Sequence, residues 1–122
     1  MSFMFGKTKA KNKEKGAVGE ILAVNFLKKN KYKILQTNYK NVVGEIDIVA
    51  QKKKLLVFVE VKRRMTLEYG RPVEAVNLRK QNKIKKVAEL FLIENNLKYA
   101  DCRFDVIEIL DEEVFHIENA FW

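Results

Sequence analysis

Two β-rich runs, GEIDIVA (Gly44–Ala50) and LLVFVEVK (Leu55–Lys62), flank the short polar segment Gln51-Lys52-Lys53-Lys54. β-branched and aromatic residues dominate both runs, and the spacing predicts an antiparallel hairpin with a four-residue loop. With Ala50 opposite Leu55, Asp47 faces Phe58 and Glu45 faces Glu60. Side chains alternate along a strand, so Glu45, Asp47, Glu60 and Lys62 share one face. Ile46, Ile48, Val57, Val59 and Val61 then form an aliphatic opposite face. A one-residue slip would turn charges into that surface, so the parity of the pairing is strongly specified.

Working outward, Ala17–Leu27 is apolar except for Gly19, Glu20 and Asn25. A helix that is apolar nearly all round belongs between layers. Glu20 falls between Val24 and Leu27 on its surface, partly buried, and needs a cation, a metal or a donor. An ion pair with one of the many lysines is the ordinary alternative. Tyr32–Tyr39 reads as a first strand. After the hairpin comes a loop with Arg63, Arg64, Gly70 and Arg71, and Pro72 suits the first turn of a helix. A second helix runs from about Arg79 to Glu94, with Ile84, Val87, Ala88, Phe91 and Leu92 as its apolar stripe. Arg103–Ile109 and Val114–Ile117 are two further strands. Helix, three strands, helix, two strands is a mixed α/β order.

The chain has 122 residues, 48% of them hydrophobic, which suits one domain with a substantial core. Residues 6–15 lack an apolar face and read equally as a mobile basic arm or as the solvated start of a helix; residues 1–15 are taken as the arm and 16–122 as the domain. The net charge of +8 is uneven: residues 1–40 carry +8, residues 41–100 carry +6 and residues 101–122 carry −6. A cationic field of that kind points to a polyanionic partner. A single cysteine excludes an internal disulfide and a cysteine-based zinc knuckle. The longest apolar run is Leu55–Val59, far short of the roughly 20 residues of a membrane span. With no export signal and a lone thiol, the expected location is the cytoplasm.

The charged hairpin face carries the chemistry. Clustered carboxylates repel unless a cation shares them. Mg²⁺ takes hard oxygen ligands, commonly one or two carboxylates, with water and phosphate oxygens completing the shell. Asp47 and Glu60 could supply two such ligands. Lys62, two residues on, could orient or deprotonate the attacking water, or neutralise charge developing at phosphorus. A solvated face of cross-strand Glu–Lys pairs is the competing reading. Glu74 and Lys80 lie near enough in sequence to reach the site. His116 and Cys102 read as structural residues, the latter buried, and Asp105 as a partner for Arg103 or a helix end.

These residues carry a resemblance. Asp47 followed by Glu60-Val61-Lys62 resembles the PD-(D/E)xK signature of restriction-endonuclease-like nucleases, although Ile46 stands where the short motif has proline. GAVGE (Gly16–Glu20), GEIDIVA, VFVEVKRR (Val57–Arg64), YGRPVEAV (Tyr69–Val76), RFDVIEI (Arg103–Ile109) and the ending HIENAFW together resemble the YraN-like family of uncharacterised bacterial proteins. That family is similar in motif order to the archaeal Holliday-junction resolvases. The resemblance implies a restriction-endonuclease-like mixed sheet flanked by helices, with Glu20, Asp47 and Glu60 on Mg²⁺ or Mn²⁺ and Lys62 on the attacking water. It also implies a DNA substrate and a homodimer. The glutamine/tyrosine helix motif of exonuclease relatives is missing, since Lys85 follows Gln81 by four residues.

Arg63, Arg64, Arg71, Arg79, Lys83 and Lys86 are the candidate phosphate contacts. The functional expectation is a metal-dependent endonuclease acting on DNA, branched DNA included. The alternatives are a non-catalytic nucleic-acid-binding module of the same fold and a protein-interaction adaptor.

Overall fold

The computed structural model describes residues 11–64 and 77–121, with side chains of the first helix from Val18 onward. Its elements are α1 (Lys11–Lys29), β1 (Lys33–Lys40), β2 (Glu45–Lys52), β3 (Leu55–Arg64), α2 (Leu78–Glu94), β4 (Cys102–Leu110) and β5 (Glu113–Ile117). The strands form one mixed sheet in the order β1-β2-β3-β4-β5, with β3 and β4 parallel and the other neighbours antiparallel. Parallel neighbours need a crossover, and α2 lies within it. The mixed sheet with its two helices is compatible with a restriction-endonuclease-like fold. Helix α1 begins at Lys11, before the expected Ala17, because the lysines and glutamate of residues 11–15 extend a helix readily. Residues 1–10 of the expected arm, and Gly70, Arg71, Pro72 and Glu74, lie outside the described residues.

The sheet is sandwiched. Ala23, Val24 and Leu27 of α1 pack on Ile48, Ala50, Val57, Val59, Ile107 and Ile109. On the other face, Ile84, Val87, Ala88 and Phe91 of α2 pack on Val49, Leu56, Phe58 and Val106. Phe58 meets Phe91 edge-on and stacks on Phe104, which stacks in turn on Phe121. Asn77 caps α2, its side chain accepting from the Lys80 amide at 2.9 Å.

The hairpin corrects the expected register. Ala50 pairs with Val57, Phe58 with Val49, and Lys52 with Leu55, so the strands run two residues further and only Lys53 and Lys54 form the loop. Lys53 takes the left-handed conformation (φ 57°) that such a tight turn demands. A slip of two preserves parity, so Glu60 and Lys62 keep the face expected of them on β3. Arg63 and Arg64 are strand residues of β3, paired with Ile109 and Leu110, and not loop residues. Cys102 is half-buried, and its thiol donates to the Ala100 carbonyl at 3.4 Å.

A second correction sits at the start of β2. Ile46 packs in the α2-side cluster while Ile48 packs in the α1-side cluster, so the alternation breaks between them. Asn38, opposite Asp47 in the β1–β2 pairing, has a left-handed backbone (φ 53°) at the same level. Ile46 therefore leaves the expected aliphatic face. Glu45 is exposed and paired with Lys40 instead of Glu60.

On the α1 side of the sheet, fully buried Asp105 is satisfied from every direction. Its Oδ1 accepts from Arg103 Nε at 2.8 Å and from the Asn119 amide at 2.9 Å. Its Oδ2 pairs with Arg103 Nη2 and His116 Nε2, both at 2.7 Å. The Arg103 guanidinium also donates to the Tyr32 hydroxyl at 2.7 Å, and the His116 ring meets Phe26 and Tyr32 edge-on. Burial alone would raise the Asp105 carboxyl. The hydrogen bonds from His116 and Arg103 outweigh it and hold the carboxyl below its ordinary value. Removing one partner of such a cluster strands the others. Asp105→Ala should lower stability by about 3–5 kcal/mol, read as a shift of the urea unfolding midpoint.

Candidate active site

The paired ladder between β2 and β3 ends at Ile48–Val59. One step further, the Val61 amide donates to Asp47 Oδ2 at 2.8 Å, so a side chain takes the place of a backbone acceptor. The Asp47 carboxyl is thereby locked between the two strands beside Glu60. Glu60 is itself buried, on the face that packs against α2. Burial, then the charge of Glu60, pushes Asp47 up to about 8, and a hydrogen bond between the two carboxyl groups adds to the effect. Asp47 so placed holds its proton where a cation could replace it.

Two ammonium groups converge on Glu60 Oε2. Lys80 Nζ lies at 2.6 Å and Lys62 Nζ at 3.7 Å. Burial lowers the Lys62 ammonium below its ordinary value, and its hydrogen bond with Lys80 lowers it further. Burial also pulls on Lys80, but its hydrogen bonds to Glu60 and Lys62 outweigh this and hold it above its ordinary value.

Glu20 reaches the region from α1, on the other side of the sheet. Its Oε1 accepts from Asn38 Nδ2 at 2.8 Å, and burial raises its carboxyl despite that bond. Its charge is felt at Asp47 as a smaller contribution. Among the described residues, no three His, Cys, Asp or Glu side chains gather closely enough to hold a metal ion. The structure thus brings Asp47, Glu60 and Lys62 together and leaves Glu20 on Asn38.

The expected phosphate contacts divide into three. Arg63 and Arg64 extend β3 past Lys62, and the Arg63 side chain runs beside Gly19, whose added Cβ would lie 3.5 Å away. Arg79, Lys83 and Lys86 are exposed on α2. Arg71 falls outside the described residues.

Two residues gain weight from the structure. Lys80 occupies the position four residues before Ile84 on the stripe that α2 turns to the sheet. Extending that stripe backward by one turn is the sequence signal for it. Glu108 is buried in register with Lys62 across the parallel pair, and its Oε2 has no hydrogen-bond partner among the described residues. Its signal is a carboxylate two residues after core-facing Val106.

With this geometry in view, the comparisons are informative. Residues 19–109 match the model of the uncharacterised protein family UPF0102. The chain is 47% identical over 112 residues to a UPF0102 protein of Clostridioides difficile (strain 630), covering 90% of this chain and 98% of that one. It is 44% identical over 120 residues to one from Caldanaerobacter subterraneus subsp. tengcongensis, covering 93% and 98%. The chain belongs to UPF0102. This is the YraN-like family that its motifs resemble, and the match spans both strands of the hairpin and the whole of α2. Among the described residues, no helix is long and apolar enough to cross a membrane.

The raised Asp47 carboxyl has a stability consequence. An unfolded aspartate loses its proton near pH ~3.9, whereas folded Asp47 keeps its proton to about pH 8. Between those values the folded state binds the extra proton, so stability falls as pH rises, by up to about 1.4 kcal/mol per pH unit. Metal-free protein should therefore lose stability from pH 5 to pH 8 in urea titrations. Asp47→Asn should flatten that slope and be the more stable protein at pH 8.

Proposed function

We propose that this UPF0102 protein is a metal-dependent endonuclease that hydrolyses DNA phosphodiesters. The observation that carries the reading is the pairing of half-buried Asp47 with buried Glu60, with the Lys62 ammonium 3.7 Å from Glu60 Oε2. A solvated face of exposed Glu–Lys pairs would not bury its carboxylates or raise one so far. The resemblance of Asp47 and Glu60-Val61-Lys62 to the PD-(D/E)xK pattern supports the same reading.

The residues fit a divalent cation. Two carboxyl groups sit side by side, and the proton that Asp47 retains is what a metal would displace. Asp47 and Glu60 would hold Mg²⁺ or Mn²⁺, while Glu20 stays hydrogen-bonded to Asn38 on the α1 side. When bound, the metal supplies Lewis-acid polarisation of the phosphate and a more acidic water. Lys62, lowered by burial, then holds the attacking water by hydrogen bonding and offsets negative charge as it develops at phosphorus. Arg63, Arg64, Arg79, Lys83 and Lys86 supply phosphate contacts that do not depend on base sequence.

Purified protein incubated with duplex, single-stranded and four-way-junction DNA should cut at least one of them only when Mg²⁺ or Mn²⁺ is present. Asp47→Ala and Lys62→Ala should each slow cutting by about 10²-fold or more. Cutting that survives both substitutions would place the chemistry elsewhere. Binding to all three DNAs without cutting would mark a binding module. Affinity should fall by roughly 0.9 log unit per decade of salt for each phosphate neutralised. Sedimentation with and without junction DNA tests the homodimer.

A further inference from the structure

The α2 stripe that packs on the sheet runs Ile84, Val87, Ala88 and Phe91, and its next position toward the N-terminus is Lys80. A lysine there is locally unfavourable. The first turn of α2 holds no acidic residue, and Lys80 beside Arg79 opposes the positive end of the helix dipole. Lys80 is nevertheless held in place at both ends. The Asn77 side chain accepts from its amide at 2.9 Å, and its Nζ makes a 2.6 Å ion pair with Glu60 Oε2. That pair is shorter than the 3.7 Å contact of Lys62 with the same oxygen. The ammonium of Lys80 therefore occupies a lone pair that a divalent cation bound by Glu60 would need.

Resting on the reading of Asp47 and Glu60 as a divalent-cation site, we infer that Lys80 is the site's built-in counter-cation, which the metal must displace from Glu60. It neutralises Glu60 when no metal is bound and competes with metal for the same oxygen. Lys62 does not share this role, because its contact with Glu60 is longer and it comes from the same strand two residues on. The metal affinity of the free protein is thus set low by a residue of α2. Loading the metal releases an ammonium at the N-terminal end of that helix.

Mn²⁺ binding, followed by electron paramagnetic resonance of free Mn²⁺ without DNA, tests this directly. Lys80→Met keeps the stem and removes the charge, and it should bind Mn²⁺ about tenfold tighter, the order expected when one half-exposed unit charge stops competing for a carboxylate. Lys80→Arg keeps the charge and should stay close to the parent. In the parent, adding Mg²⁺ should raise the labelling of Lys80 by an amine-acetylating reagent, and Asp47→Asn should abolish that increase. Unchanged or weaker Mn²⁺ binding in Lys80→Met, with binding in the parent still abolished by Asp47→Asn, overturns the counter-cation role and leaves the metal site standing. Absence of Mn²⁺ binding in parent and Lys80→Met alike overturns both. Lys80 is partly exposed, so its substitution should leave the far-ultraviolet circular dichroism unchanged, which separates an affinity change from misfolding.

Discussion

Asp47 takes the Val61 amide through its side chain at the point where the β2–β3 ladder stops. That bond lets two neighbouring strands diverge without stranding a buried donor, and it pins a carboxyl group in the gap. Everything notable about the site follows from it. Glu60 is on the adjoining strand, so the two carboxyl groups are forced together. Lys62 follows on the same side of β3. α2, laid over that face by its apolar stripe, delivers Lys80 to the same oxygen. The left-handed Asn38 opposite Asp47 completes the distortion, turning Ile46 toward α2 and sending its own amide to Glu20.

Buried Asp105 and half-buried Asp47 make an instructive contrast. Asp105 and Asp47 are the same residue type within one sheet, yet their carboxyl groups move in opposite directions. Asp105 is ringed by Arg103, His116 and a backbone amide, and its charge is fully answered. Asp47 receives one amide and faces another carboxyl. The first arrangement is what a stable interior requires. The second is unfavourable as it stands, because burial and the neighbouring Glu60 both oppose its charge. These carboxylates and the ammonium groups of Lys62 and Lys80 sit together within a strongly basic chain.

Much of this was legible in the residues. The element order, the two amphipathic surfaces of the sheet and the burial of the α2 stripe all follow from apolar periodicity. The grouping of Glu60 with Lys62 follows from strand alternation, and it survived a two-residue error in register because the period of a strand is two. Asp47 joins them where the β2 alternation breaks. That error came from reading Gln51 and Lys52 as loop on polarity, when extended backbone paired with Lys33 and Leu55–Leu56 holds them in the sheet. Arg63 and Arg64 were read as loop for the same reason, whereas parallel pairing with Ile109 and Leu110 continues β3 through them. Lys80 was named only by nearness in sequence, because its role depends on where α2 crosses the sheet.

By itself, then, the sequence determined which residues alternate together, which surfaces are apolar and where the charge lies, because these depend only on local periodicity and composition. Family membership followed from the same string of residues. The tertiary structure alone decided that Asp47 bonds a neighbouring strand's amide, that Glu20 is committed to Asn38 and that Lys80 closes on Glu60. Each of those is a contact between elements distant in the chain. Their geometry is fixed by how the helices and the distorted strand pack, and no local pattern encodes it.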